Sequence, residues 1–364
     1  MVIAAGCNKH NDHGQPGNGN PVNLTGFQQT NLIANNDEYN AKLQDPTLVD
    51  AWGLAFSPSG TPWVNATFGH VSEIYTADGA IARPPVNVPS PTDSVGGMPI
   101  GIVATSGKGF ILSNGQEAAF LFVGGDGVFS GWNPAAGKNA LLIRNNAGAA
   151  AYTGVTVASR NGKNYVYAAS PLNNKIDVWD NDLKPVSLPF RDPNALTGFA
   201  VFNIRLIENL LYVTYTKIGP DGRGVKGTGN GFVDIFDTDG KFQKRFATQG
   251  LLDNPWGLTL ASSAFLQGQS TYGDDYQKGS GGGYNPSSTN YLLVGNFGDG
   301  RINVYSTDGV FEGQLQTKKD QPITIDGLWD LSFPPTSSSI DPNRLYFTAG
   351  PDDEKDGLFG YITK

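Results

Sequence analysis

A three-residue phrase recurs with variation six times along the chain, and each copy opens a short apolar run. The copies are Trp52-Gly53-Leu54, Ile100-Gly101-Ile102, Thr153-Gly154-Val155, Phe202-Asn203-Ile204, Trp256-Gly257-Leu258 and Trp329-Asp330-Leu331. Their central positions lie 48, 53, 49, 54 and 73 residues apart. A period of roughly 50 residues built from short strands is typical of a β-propeller, with one blade per repeat. The phrase therefore predicts an all-β, six-bladed β-propeller.

The last repeat predicts how the ring closes. Residues 328–333, 344–348 and 358–363 make only three strands before the chain stops at Lys364. A three-stranded blade would leave an open edge, which invites aggregation. Residues 27–33, an apolar-polar segment at the other end, are predicted to supply the missing outer strand. Residues 27–364 are therefore expected to form one propeller domain whose last blade is closed by an N-terminal strand.

The first 26 residues differ from the repeats. Val2-Ile3-Ala4-Ala5-Gly6-Cys7 is a short apolar stretch that ends in small residues before the single cysteine of the chain. It resembles the end of a bacterial lipoprotein signal peptide, and a chance Ala-Gly-Cys is the alternative. Residues 8–21 contain too few apolar groups to offset the entropy of ordering. We expect residues 1–26 to be a signal-peptide remnant and flexible tether, with lipidation at Cys7.

Composition excludes several classes of function. The net charge of −8 argues against nucleic-acid binding, which needs a basic surface to displace counterions. Only His70 of the three histidines lies within the repeats, so a histidine-rich metal site or a Ser-His-Asp triad is nearly excluded there. No stretch is long and apolar enough to span a bilayer. Membrane contact is therefore expected only through the lipid anchor, and the protein is expected to be a monomer.

Two rows of aligned residues are candidates for a ligand site near the axis of the ring. The first row is the centre of the phrase, where glycine suits crowded strands and only Asn203 and Asp330 are polar. The second row ends each predicted second strand and consists of Asn65, Asn114, Ser170, Thr216, Asn296 and Gly350. Amide and hydroxyl oxygens in a ring could bind a polyol or a hard cation such as Ca²⁺. The alternative is that these side chains cap their own turns.

Other candidate features have a structural reading as well as a functional one. Calcium normally takes at least two carboxylates, and Asp330 is the only acid in either row, so we predict no metal with Ca²⁺ left open. The acidic residues 352–356 are expected to be a solvated loop, with cation binding as the alternative. Residues 217–231 and 265–290 are long loops of the kind that often carry function. The alternative is a mobile insertion without a function, which we favour for Gly281-Gly282-Gly283. Four aromatic residues that share one phase of the repeat are expected to pack between blades rather than line the channel, namely Trp52, Phe202, Trp256 and Trp329.

Several longer phrases resemble an uncharacterised bacterial family of secreted six-bladed propellers, some of which carry exosortase-sorting tails. The phrases are Thr30-Asn31-Leu32, Asp45-Pro46-Thr47-Leu48-Val49-Asp50-Ala51-Trp52-Gly53-Leu54, Asp126-Gly127-Val128-Phe129-Ser130-Gly131-Trp132-Asn133-Pro134, Lys175-Ile176-Asp177-Val178, Leu293-Val294-Gly295-Asn296-Phe297-Gly298-Asp299-Gly300-Arg301-Ile302-Asn303 and Asp356-Gly357-Leu358-Phe359-Gly360. Individual strands also look like NHL repeats. The resemblance implies a propeller and export, and it brings no known reaction. The chain departs from the family pattern at Ala66 and Thr67, where an Asp-Asn pair is usual, and at Asp330, which replaces a glycine.

These observations predict a binding module rather than a defined reaction. We expect an exported, lipid-anchored propeller at the bacterial periplasm or cell surface that binds a small polar ligand or an envelope protein, with Asn65, Asn114, Asn203, Asn296 and Asp330 as candidate ligand-binding residues. The alternative is a metal-dependent hydrolase similar to lactonases and gluconolactonases, with its site at the central channel. A purely structural surface protein is the third possibility. Two or more carboxylates converging on the axis would favour the enzyme.

Overall fold

Six small β-sheets make up the protein. The computed structural model describes residues 22–268 and 290–364, so Cys7 and most of the 265–290 loop lie outside the described residues. In chain order the strands are β1 (Gln28–Ala34), β2 (Leu43–Gln44), β3 (Ala51–Phe56), β4 (Pro62–Ala66), β5 (Val71–Tyr75), β6 (Ile81–Asn87), β7 (Pro99–Ala104), β8 (Phe120–Gly124), β9 (Val128–Trp132), β10 (Leu141–Asn145), β11 (Gly154–Arg160), β12 (Lys163–Ser170), β13 (Lys175–Trp179), β14 (Pro185–Val186), β15 (Phe199–Ile207), β16 (Leu210–Lys217), β17 (Gly231–Phe236), β18 (Phe242–Thr248), β19 (Pro255–Ser262), β20 (Asn290–Asn296), β21 (Ile302–Ser306), β22 (Phe311–Gln314), β23 (Leu328–Ser332), β24 (Leu345–Ala349) and β25 (Leu358–Thr363).

Helical structure is confined to three short pieces among the described residues. They are a 3-10 turn at Pro134–Ala136, helix α1 (Ser263–Gln267) and the four-residue turn α2 (Pro351–Glu354). Helix α1 begins just before the segment expected to be a loop and extends into it, and it is fixed there because Phe265 and Leu266 are buried in the core.

Blades 1 to 5 are four-stranded antiparallel sheets in sequence order, comprising β3–β6, β7–β10, β11–β14, β15–β18 and β19–β22. The first strand of each blade lies innermost. These inner strands contact one another in ring order, and β23 of blade 6 contacts β3 of blade 1. The six-bladed closed ring predicted from the repeated phrase is therefore confirmed.

The N-terminal strand closes blade 6, as predicted. Strand β1 pairs antiparallel with β25, from Gln28 opposite Thr363 to Ala34 opposite Leu358, and β2 adds a short parallel pairing. Side chains after β1 stabilise this pairing. The Tyr39 hydroxyl donates to the Asp356 carboxylate at 2.6 Å, and the Asn35 amide donates to the same carboxylate at 2.9 Å. Asp356 is therefore part of the closure rather than of a solvated loop.

The core is divided among the blade interfaces. Six of the seven apolar clusters among the described residues each lie between two neighbouring blades, where the faces of consecutive sheets meet. The seventh cluster lies on the axis of the ring, and it is where the functional site begins.

Candidate functional site at one mouth of the channel

The inner strands carry a β-bulge at the repeated phrase. In β3, β7, β15, β19 and β23 one extra residue opposes the second strand at this point, which shifts the register of pairing. A bulge interrupts the alternation of side chains and redirects the residue that it contains. The residue before the central position consequently turns towards the axis.

Four aromatic residues and one isoleucine therefore meet at the axis. This axial cluster consists of Trp52, Ile100, Phe202, Trp256 and Trp329. The expectation that the four aromatic residues pack between blades was wrong, because it assumed regular alternation through the phrase. The Trp256 indole nitrogen donates to the carbonyl of Thr153 at 3.0 Å, and since blades 5 and 3 are not neighbours, this bond crosses the channel.

Three rings of the site lie parallel in one stack. Trp52 and Trp329 have ring centroids 3.5 Å apart with an interplanar angle of 14°, and Phe297 stacks on Trp329 at 3.9 Å and 9°. Phe297 comes from the loop after β20, so this aromatic stack joins blades 1, 6 and 5. Rings stacked at these distances cover each other's faces, so Trp329 is only 1% exposed and the outer face of Phe297 is left for a planar ligand group.

The glycines of the phrase are explained by crowding between blades. A Cβ atom on Gly257 would lie 2.6 Å from the carbonyl oxygen of Trp329, and one on Gly53 would collide with the carbonyl oxygen of Ile100. Such approaches are possible only without a side chain.

Asn203 and Asp330, the two polar residues at the centre of the phrase, bind neighbouring blades instead. The Asn203 amide donates to the carbonyl of Trp256 at 2.7 Å, and the backbone N–H of Leu54 donates to the Asp330 carboxylate at 3.0 Å. Arg205 of blade 4 donates to the same carboxylate, so this ion pair also crosses the channel. Burial raises the pKa of Asp330, and Arg205 opposes the shift.

The other predicted site residues are also held by protein groups. The Asn65 amide donates to the carbonyl of Ile100 at 3.1 Å, and the Asn296 amide donates to the carbonyl of Leu251 at 2.8 Å. Asn114 is exposed on a hairpin before β8, where it donates to Asn133. Its alignment as the end of a second strand was wrong, because the second strand of blade 2 ends at Gly124.

None of the five predicted ligand-binding residues lines the cavity at the channel mouth, and their ligand-binding role stays a prediction. That cavity has a volume of about 360 Å³ and lies over the aromatic stack. Each blade contributes to it through the loop between its second and third strands, which we call the mouth loops. These loops supply Phe68, Gly125, Pro171, Ile218, Arg223, Lys226, Phe297, Asp353 and Glu354 to the lining.

Charged side chains from two mouth loops meet over the cavity. Arg223 lies 3.5 Å from the Glu354 carboxylate, and Lys226 lies 3.5 Å from the Asp353 carboxylate. The Lys226 ammonium also lies 4.8 Å from the centroid of the Phe297 ring. The blade 4 loop, singled out by its length, and the acidic blade 6 loop are therefore joined at the site.

The acidic mouth loop has an unusual backbone. Asp352, Asp353 and Glu354 have φ angles of 52°, 54° and 68°, so three consecutive non-glycine residues adopt the left-handed conformation. Each such residue costs about 1–2 kcal/mol. The turn directs the Glu354 side chain inwards, where it is only 15% exposed, while Asp353 stays in solvent at 83%. The expectation of a solvated loop therefore holds for Asp353 and was wrong for Glu354.

Two polar groups at the site have no hydrogen-bond partner among the described residues. One is the indole nitrogen of Trp52, which belongs to a residue lining the cavity. The other is one carboxylate oxygen of Asp50, whose second oxygen accepts from the Trp329 indole at 3.0 Å. Burial raises the pKa of Asp50 well above its usual range, and the Glu354 charge adds to the shift.

The donor set for a metal is not assembled in residues 22–268 and 290–364. No group of three or more His, Cys, Asp or Glu side chains is arranged there to hold an ion. The one acid of the central row, Asp330, is paired with Arg205. No group of three or more metal-ligating side chains gathers at Asn203 or Asn296 in these residues, and the hydrolase stays an alternative. No helix in the described part of the chain is long and apolar enough to cross a membrane.

Comparisons with known proteins support the fold. No protein-family model matches the chain. Two uncharacterised proteins of Acanthamoeba polyphaga mimivirus are each 27% identical over 92% of this chain, covering 86% and 80% of their own lengths. Because both relatives are viral, the bacterial origin implied by the resemblance stays a prediction.

Among solved structures, an auxiliary nutrient binding protein from Bacteroides ovatus is similar with a TM-score of 0.52 and 11% identity, over 93% of this chain and 77% of that one. A streptogramin B lyase is similar with a TM-score of 0.50 and 12% identity, over 93% of this chain and 97% of that one. At these identities the similarity establishes the propeller fold alone.

Sequence reasoning missed Phe297, Arg223, Lys226 and Glu354 as a group. A signal was available, because the loops between second and third strands must all emerge at one end of the ring. Aligning those loops, rather than the strand ends before them, would have brought these residues together.

Proposed function

We propose that the protein is a binding module that holds a small ligand with a flat apolar face in the channel-mouth cavity. The observation that carries the proposal is the aromatic stack of Trp52, Trp329 and Phe297 beneath a cavity of about 360 Å³. Ligand pockets in proteins commonly have volumes of ~300–1,000 Å³ and pair apolar walls with a few polar groups. The propeller fold itself does not decide between binding and catalysis, since its structural neighbours include both a binding protein and a lyase.

A cavity-filling variant tests this proposal. Small neutral sugars and benzene derivatives would be screened by thermal shift, and the compounds that raise the melting temperature would be quantified by calorimetry. In Ala151→Trp a large side chain would fill the cavity from its wall, and Val310→Trp places the same side chain on an exposed site outside the lining and the mouth loops. We expect binding to be lost in Ala151→Trp and kept in Val310→Trp. Equal binding to both variants, or no compound that binds the parent protein, would remove the proposal.

We further propose export and lipid anchoring at Cys7. The support is the sequence pattern, in which the single cysteine follows a short apolar stretch ending in Ala5 and Gly6. The test is detergent phase partition of the full chain expressed in a bacterium with a complete signal peptide. Lipidation predicts that the parent protein enters the detergent phase and that Cys7→Ser enters the aqueous phase. Identical partition of the two would refute the anchor.

A further inference from the structure

The Glu354 carboxylate lies deeper at the cavity than either of the two cations, whereas Asp353 is 83% exposed. The Glu354 side chain is 15% exposed, whereas its partner Arg223 is 73% exposed and Lys226 is 43% exposed. Behind the stack lies Asp50, which is fully buried. Arg223 and Lys226 thus reach the site on long, mobile stems from solvent. Glu354 and Asp50 are therefore the acids built into the site, Asp353 stays in solvent, and both positive groups reach the site from its edge.

Lys226 already makes the contacts that a bound amine would make. Its ammonium lies 4.8 Å from the Phe297 centroid and 3.5 Å from the Asp353 carboxylate. A cation within about 6 Å of an aromatic face is attracted by the electron density of the ring, and a nearby carboxylate strengthens the attraction. The site therefore accommodates a positive charge over its aromatic stack.

The Glu354 carboxylate at this position is incompletely compensated. Glu354 has one ion-pair partner among the described residues, Arg223, at the long distance of 3.5 Å. Buried carboxylates are stabilised by a nearby cation because water cannot screen them. A positively charged ligand would supply that compensation at the mouth of the ring.

We infer that the ligand of the channel-mouth cavity is an organic cation, an amine or quaternary ammonium attached to a flat apolar group. This inference rests on the proposed function and names the class of ligand. The apolar group stacks on the outer face of Phe297, and the charge faces Glu354. Lys226 is the internal competitor, and its ammonium leaves the Phe297 face when the ligand enters.

Isosteric probes separate charge from shape. Phenyltrimethylammonium and tert-butylbenzene have nearly the same shape, and only the first is charged; benzenesulfonate carries the opposite charge. We expect calorimetry and thermal shift to give phenyltrimethylammonium about tenfold higher affinity than tert-butylbenzene, with benzenesulfonate weakest. Increasing salt should lower the affinity for the cation and leave that for the neutral probe unchanged.

Two variants at the site should change the affinity for the cation in opposite directions. Glu354→Gln should weaken binding of phenyltrimethylammonium roughly fivefold and leave tert-butylbenzene unaffected, which also reports that the site remains folded. Lys226→Met removes the competitor and should strengthen binding of the cation severalfold. The matched control is Lys244→Met, since the Lys244 ammonium lies 5.9 Å from the Phe246 ring on blade 4, away from the cavity lining.

The outcomes distinguish this inference from the proposed function. Equal affinity for the charged and neutral probes, or weaker binding of the cation in Lys226→Met, would overturn the cation assignment while the binding module stands. Tightest binding of benzenesulfonate, lost in Arg223→Met, would assign an anionic ligand instead. If neither these probes nor the compounds of the screen bind, both the inference and the proposed function fall.

Discussion

The ion pair between Arg205 and Asp330 predicts an asymmetric response to substitution. Asp330 is 3% exposed in its side chain, whereas Arg205 is 25% exposed. Removing the arginine leaves a buried carboxylate with two backbone N–H donors, from Leu54 at 3.0 Å and Leu331 at 2.8 Å. Removing the aspartate charge leaves an arginine that still reaches water. The cost should therefore depend strongly on which partner is changed.

The expected losses in free energy of unfolding follow from how deeply each partner of the ion pair is buried. Breaking a buried pair by removing one partner costs about 3–5 kcal/mol, so Arg205→Met should lower the free energy of unfolding by about 3 kcal/mol at pH 8. Asp330→Asn keeps the shape and loses charged hydrogen bonds, which costs about 1–2 kcal/mol. The double variant should be less affected than the sum of the single variants, with a coupling energy of about 2 kcal/mol.

The pH dependence provides a second readout. Burial raises the pKa of Asp330 in the folded protein, so the folded state takes up a proton at a pH where the unfolded chain does not. Stability from this group is fully present at low pH and is lost as the pH rises through the folded pKa. Without Arg205 that pKa rises further, so the deficit of Arg205→Met should shrink between pH 8 and pH 5.

Urea denaturation of the three variants and the parent at both pH values measures these quantities. The parent at each pH is the control, which removes the contribution of other titrating groups. Equal losses for Arg205→Met and Asp330→Asn, additive effects in the double variant, or a deficit independent of pH would each refute the reasoning.

Two further predictions concern the closure and a buried acid. Deleting residues 27–34 removes the β1 pairing with β25 and should sharply lower the melting temperature. The control Gln28→Ala, at an exposed position of β1, should leave the melting temperature nearly unchanged. An unchanged melting temperature of the deletion variant would contradict closure by β1. Burial and the nearby Asp45 charge raise the pKa of Glu73 to about 7, so stability from this group is lost as the pH rises from about 5 to 8. The free energy of unfolding of Glu73→Gln, measured by urea denaturation, should therefore exceed that of the parent by about 2 kcal/mol at pH 8 and by much less at pH 5.5. A difference that does not change with pH would count against the assignment of the raised pKa to Glu73.

The sequence predicted the ring because the information for it is local and repeated. Each copy of the phrase opens an inner strand, and the incomplete last repeat required an outer strand from elsewhere, which residues 27–33 could supply. The phrase also indicated why Gly53 and Gly257 are glycines, since the backbones of adjacent inner strands approach closely there.

The site was less predictable because two of its determinants are not periodic. The bulge that turns Trp52 and Trp329 to the axis changes the direction of a side chain without changing the apolar pattern. The inward direction of Glu354 depends on a left-handed turn that composition alone does not indicate. Asn203 and Asp330 were correctly placed at the axis, but their partners lie on other blades, so their role in joining blades required the three-dimensional arrangement.

The pairing at the seam also determines how the ring responds to force. Gln28 lies opposite Thr363, so the two terminal strands end side by side, and beyond Gln28 the backbone of residues 24–27 is hydrogen-bonded to other backbone groups of the described chain only at Gln316 of blade 5. In an antiparallel pair loaded in this way, tension acts on one hydrogen-bonded pair after another instead of on all of them at once. We therefore expect the ring to peel open at low force when its ends are pulled apart, and to resist much higher force when it is pulled between two loops of other blades.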